Sequence, residues 1–303
     1  MPVAGMAAPA PAGAPPTSMG SKDLAACPQP PAGSSATAIE AWTLVNQIRL
    51  AAGSTCMNLV PALNASAQNH CDYLAMNRGN SACGSGHDEV ESCTGFSGTT
   101  AQAREIAAGY PKNLAYTEVL FNIGNMPARA IPGWLNTPFH RIPLLDPWTA
   151  DMGWGGGTGC DIIDIGRGTT PAADNAIVVF PYDGQTDVPV SFNGLESPAP
   201  PKPASGWPSA YPVSIYAKKL TVSEHVITKD GDPTPLEHMW LDAKAPEVSA
   251  GLRGYFTSTA MMYGAPYEPN TKYRVRVVGT GQGGPLNVEW TFTTGQRSSW
   301  SGK

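Results

Sequence analysis

Histidine is the side chain best able to move protons or bind metals near neutral pH, and this 303-residue sequence has five of them. They are His70, His87, His140, His225 and His238. Two imidazoles and a carboxylate make a reasonable ligand set for zinc or a similar borderline ion. Such a site keeps a coordination position open, so that a bound water is acidified and a nearby glutamate can act as general base. His87, His140 and Glu118 are the residues to weigh for this chemistry, with Glu89 as an alternative base. Spacing alone does not bring them together. His87 and His140 are 53 residues apart and match no local metal motif such as HExxH. No GxSxG nucleophile motif is present. Read without further context, His140 and Arg141 stitch a helix to a sheet by hydrogen bonds, and His87 sits in a glycine-rich surface loop. His70 falls on a helix as a core or boundary residue, and His225 and His238 fall on the surface of the second half.

The six cysteines all lie within the first 160 residues and include no CxxC pair, which argues against a zinc ribbon or a thioredoxin-type site. Their even number reads as three disulfides. The pairing is open among 15 combinations, with Cys83–Cys93 the one proposed, because it closes a short loop around His87. Leu24-Ala25-Ala26-Cys27 has the form of a lipoprotein lipobox, but the residues before it are polar, so lipidation is not expected. Residues 1–31 lack the basic and apolar regions of a secretion signal. The formal net charge of -5 argues against a nucleic-acid partner, and no apolar run is long enough to span a bilayer.

The elements that must hold these residues follow from periodicity. Ile39, Trp42 and Val45, with Ala41, Leu44 and Ile48, recur at helical spacing up to Gly53. Leu63, Ala67, Cys71 and Leu74 mark a second helix from Pro61 to Gly79. Residues 99–108 and 127–135 predict two more. Residues 150–155, 160–165 and 176–181 are short, apolar and glycine-bounded, and read as strands. The expected organisation is a disordered arm over 1–35, an α+β domain over 36–196, a stiff proline-rich linker over 197–209, an all-β sandwich over 210–296 and a tail over 297–303. In the sandwich, Tyr273, Val275 and Val277 alternate with Arg274 and Arg276, and Val288, Trp290 and Phe292 alternate again. Its Trp and Tyr residues are expected in the core. Residues 183–187 read as a tight turn rather than a calcium loop.

Four motifs occur in an order that resembles the CAP superfamily in its bacterial form. They are Leu44-Val45-Asn46-Gln47-Ile48-Arg49, residues 59–73, Gly86-His87, and Trp134-Leu135-Asn136-Thr137-Pro138-Phe139-His140-Arg141. The segment 267–294 resembles bacterial immunoglobulin-like modules. The first resemblance implies an α-β-α sandwich in which His87, Glu118 and His140 face one cleft, and in some members such a cleft holds a divalent metal. It places the second acid of the set near Asn136 or Thr137, and neither is acidic; Glu89 or Glu91 is the substitute to consider. The expected function is a secreted or cell-surface protein that binds a lipid, peptide or cell-envelope ligand in that cleft, the sandwich serving as spacer or adhesion module. Two alternatives stand beside it. One is a metal-dependent hydrolase, zinc being the candidate ion, acting on peptide or cell-wall substrates. The other is a self-associating structural component. Catalysis is left open, the incomplete acidic set favouring binding over turnover.

Overall fold

Ser35 caps a helix by accepting a hydrogen bond from the Ala38 N–H, and this helix, α1, runs Ala36–Ala51. The computed structural model describes residues 24–84 and 86–298; most of the expected arm and the last residues of the tail lie outside that range. Ala38, Ala41, Trp42, Val45 and Ile48 form the inner face of α1, while Ile39 turns outward at 40% exposure, so only part of the expected stripe is core. α2 covers Pro61–Met76, α3 Ala101–Ala107, α4 Pro127–Leu135 and α5 Pro138–Leu145. The last was not expected: two prolines in eight residues hide its periodicity. Among the described residues, no helix is long and apolar enough to cross a membrane.

Four strands form the sheet of this half: β1 (Asn58–Leu59), β2 (Ala115–Phe121), β3 (Asp151–Gly157) and β4 (Cys160–Gly166). Their order is β1-β3-β4-β2, with β1 parallel to β3 and the other pairs antiparallel, so β2 is a free edge. Side chains alternate across the sheet. Met152, Trp154, Ile163 and Ile165 join Trp42, Val45 and Trp134 in one core. On the other face Ile162 packs with Ala67, Cys71 and Cys160. The glycines of β3 have a packing reason. A Cβ on Gly153 or Gly155 would lie 2.1 or 2.2 Å from the α2 backbone, so α2 rests directly on the strand. The result is an α-β-α sandwich.

Three disulfides staple this half: Cys27–Cys56, Cys71–Cys160 and the expected Cys83–Cys93. Cys27 is therefore committed to a disulfide and is not a lipidated thiol.

The C-terminal half begins earlier than its sequence suggests. β5 (Ile177–Phe180), expected in the first domain, pairs instead with β9 (Val213–Ala217). Their sheet has the order β11-β12-β9-β5, with β11 at His238–Leu241 and β12 at Thr259–Gly264. A second sheet is ordered β10-β13-β14-β6, with β6 at Gln185–Val188, β10 at Thr221–Lys229, β13 at Lys272–Gly281 and β14 at Gly284–Thr294. β7 (Ser191–Phe192) and β8 (Ser209–Ala210) pair with each other as a separate two-stranded sheet. Both β5 and β6 precede the proline-rich segment, so their pairing is invisible to local pattern. This strand-rich region fits a β-sandwich. Tyr273, Val275, Val277, Trp290 and Phe292 are buried as the alternation predicts, along with Tyr211, Tyr216, Tyr263 and Tyr267. Of residues 183–187, expected as one turn, Asp183 and Gly184 form the turn and Gln185–Asp187 already belong to β6; Asp183 pins the turn by accepting the Thr291 N–H at 2.9 Å.

The expected linker is laid against the sandwich. Pro200 and Pro203 are buried, Trp207 packs on Phe192 and Tyr263, and the Tyr263 hydroxyl donates to the Pro201 carbonyl. Proline rings make an extended strap that has apolar surface to bury and few N–H groups to satisfy. Arg141 crosses the joint. It donates to Leu135 O and to Pro212 O and stacks on Phe180 and Tyr211. It does stitch, but to the second half rather than to its own sheet.

Candidate functional site

The free edge of β2 forms the floor of a cleft of about 300 Å³. His87 comes from the loop before α3, Glu118 from β2 and His140 from α5, and all three line it. The remaining lining is largely apolar: Val119, Phe139, Pro143, Pro198, Leu252 and Tyr255 among it. Ser197, Pro198, Leu252 and Tyr255 come from the strap and the C-terminal half, so the cleft has walls from both halves.

One side is built from the His87 loop. The Cys83–Cys93 disulfide closes it, and Tyr73 ties it to α2 by donating to Cys83 O and accepting from the Val90 N–H. Glu89 sits inside the loop, not in the cleft. It accepts the Ser97 and Gly98 N–H groups and meets His70 Nδ1 at 2.8 Å. Burial opposes the charge on Glu89, but the bonds from His70 and Ser97 and the charge of Arg104 outweigh it and hold its carboxyl below the usual range. His70 is fully buried, its Nε2 3.0 Å from Gly86 O, and so supports the residue beside His87. Glu91 is exposed. Neither glutamate substitutes for a second cleft acid, because the loop's own backbone donors draw Glu89 inward.

Glu118 stands behind His87. Its Oε1 is 2.8 Å from His87 Nδ1, and its Oε2 accepts from Arg104 Nη2 at 2.8 Å. Arg104 also donates to the His87 carbonyl, so one buried guanidinium fixes both residues. Burial works against the Glu118 charge, yet the His87 bond and the fields of Arg104 and His70 prevail and depress its carboxyl. Deeper in, Asp164 is the cross-strand neighbour of Glu118. Burial first, then Glu118 and Glu105, push its carboxyl well above the ordinary value. Burial likewise raises Glu105 to about 8.

The other side carries the residue that sequence reading missed. Glu196 Oε1 lies 2.7 Å from His140 Nδ1 and accepts the Phe139 and His140 N–H groups at 2.8 and 2.9 Å. Thr137, at the N-cap of α5, makes no cap bond with its side chain, and Asn136 contributes no acid, so a glutamate 56 residues downstream does the work. A carboxylate at a helix N-terminus also meets the positive end of the dipole. The only signal in the sequence is an acid at the head of the proline-rich strap, and nothing local ties it to His140.

Each cleft imidazole therefore has its Nδ1 held by a buried carboxylate, which leaves the Nε2 edge for a ligand. The metal expectation fits less well. Among the described residues, no group of three or more His, Cys, Asp or Glu side chains is placed to hold one ion. Both Glu118 oxygens and one Glu196 oxygen are engaged as orienting acceptors, whereas hydrolytic zinc needs three protein ligands.

Residues 42–163 match the CAP family, described as the cysteine-rich secretory protein family, so this stretch of the chain is a CAP domain. A solved structure of an extracellular protein containing an SCP domain, from Bacillus anthracis str. Ames, is similar at 20% identity with a TM-score of 0.38. That likeness covers 44% of this chain and 40% of the other, less than half of either. No curated protein matches. Glu196, Leu252 and Tyr255 lie beyond the matched residues.

Proposed function

We propose that this is an extracytoplasmic binding protein whose CAP domain and C-terminal half together hold a ligand in the His87–His140 cleft. The observation that carries the reading is the paired anchoring of the two imidazoles. Glu118 and Glu196 fix both Nδ1 atoms, and the cleft that the two rings line is mostly apolar. Two oriented polar groups in a mostly apolar concavity are what a small-ligand site requires. A molecule with an apolar body and one or two hydrogen-bonding groups fits this lining. Three disulfides favour an oxidising compartment. In this reading the second half is a wall of the site and not a spacer.

The test is histidine side-chain NMR during titration with a panel of amphipathic small molecules and short peptides. Binders should move the His87 and His140 ring signals together and leave His225 and His238 unmoved. Saturable binding with both cleft histidines undisturbed would refute the site. Calorimetric zinc titration of wild type and a His87→Ala/His140→Ala variant tests the hydrolase alternative. Equal binding, or none, removes the cleft as a metal centre.

A further inference from the structure

We propose that His225 and His238 form a two-imidazole binding site for a divalent transition ion of tetragonal preference, copper(II) foremost, at the open side of the sandwich. His225 lies on β10 and His238 on β11, the edge strands of different sheets. Their facing nitrogens, His225 Nδ1 and His238 Nε2, are 2.8 Å apart. Both rings are partly exposed, contrary to the plain surface positions expected from sequence, because they meet across the gap between the two edges.

The second observation concerns the tautomer. His238 Nδ1 is 2.8 Å from the Leu236 carbonyl, which can only accept, so Nδ1 carries the hydrogen and Nε2 presents its lone pair. A backbone acceptor fixing the far nitrogen is the usual support of a metal-bound histidine. His225 now donates its Nδ1 hydrogen to that lone pair. A metal ion bound beside the pair would displace this shared hydrogen, with the proton passing to His225 Nε2.

The hydrogen-bonded spacing favours the ion class that needs the smaller rearrangement of the two rings. Two nitrogens bound at about 2.0 Å on adjacent corners of a square plane are about 2.8 Å apart, whereas a tetrahedral ion needs about 3.3 Å. Binding requires both rings to turn their lone pairs toward a common point. Trp240 stacks on the His225 ring at 4.2 Å and 9°, which guides that turn within the ring plane. Asp242 contributes charge nearby while its oxygens hold the Trp240, Lys244 and Ala245 N–H groups. Water completes the coordination, which suits a staple between sheet edges and not a catalytic centre. The proposal stands apart from the cleft reading.

The experiment uses the full chain carrying His87→Gln and His140→Gln. His70 is fully buried, so His225 and His238 are then the accessible imidazoles of the chain. Copper(II) is titrated from below to beyond one equivalent and followed by electron paramagnetic resonance and pulsed spin-echo spectroscopy. One equivalent with coupling from two imidazoles is expected. His225→Gln or His238→Gln in that background should weaken binding by about tenfold or more. Fewer than two imidazole couplings in the parent, or unchanged binding in both variants, overturns the site. The wild-type chain supplies the same readout should the cleft variant not fold: absence of a bound equivalent with two imidazoles there overturns it too.

Discussion

Removing the Glu196 side chain tests how α5 and His140 are held. Glu196→Ala deletes one oxygen that serves the Phe139 N–H, the His140 N–H and His140 Nδ1. Loss of a helix cap costs about 1–2 kcal/mol. Leaving a second buried donor unpaired adds about 1–3 kcal/mol. The change also removes Glu196 Oε2, which is buried without a partner, and so returns about 1–2 kcal/mol. The net expectation is about 2–3 kcal/mol, or a fall in Tm of about 3–5 °C at this chain length. Glu196→Gln keeps an acceptor for the two N–H groups and should lose about 1 kcal/mol, through the weaker neutral hydrogen bond. Differential scanning calorimetry gives the stabilities, and 15N spectra of the imidazole report which His140 nitrogen carries the hydrogen. An Ala variant that melts within about 1 °C of wild type, with the His140 tautomer unchanged, would refute the assignment of Glu196 as the residue that positions His140.

Other consequences follow from the buried charges and the loop. Arg104→Met strands the Glu118 carboxylate and should destabilise by about 3–5 kcal/mol in urea unfolding; a loss below about 1 kcal/mol would show that Glu118 does not depend on it. Because the folded carboxyl of Glu118 is depressed, its contribution is present above the unfolded carboxylate range and is lost as pH falls toward the lower folded value. Arg104→Met should therefore flatten the acid limb of the stability curve. Glu105 has the opposite sign. With its folded value raised to about 8, the native state keeps a proton that the unfolded chain releases, so stability falls as pH rises from about 4.3 toward 8. Glu105→Gln should remove part of that slope and gain on wild type at pH near 8, as urea midpoints at both ends of the window would reveal. Opening the Cys83–Cys93 loop with paired serine substitutions should cost about 3 kcal/mol in the chain-entropy account and speed amide exchange around His87. Unchanged exchange there would show that Glu89 and Tyr73 suffice to order the loop.

The sequence by itself determined the CAP half closely. Helical spacing placed α1 to α4 because one face of each is buried, and glycine-bounded apolar runs placed β3 and β4. The Trp134 to Arg141 motif and Gly86-His87 pointed to a shared cleft, and a short cysteine spacing pointed to the disulfide around His87. These are local signals, since period, caps and loop closure act over a few residues. What lay beyond them was decided by tertiary structure. The strand at 177–180 is apolar in either sheet, so only pairing with β9 assigns it to the second half. The proline-rich segment reads as a linker until Trp207 and the buried prolines find a surface. His225 and His238 meet because two sheet edges meet. Glu196 becomes the partner of His140 only when the strap crosses the N-terminus of α5, where unpaired backbone N–H groups and an imidazole converge on one acceptor. A carboxylate satisfies such donors from any distance along the chain, and that is why no local pattern could announce it.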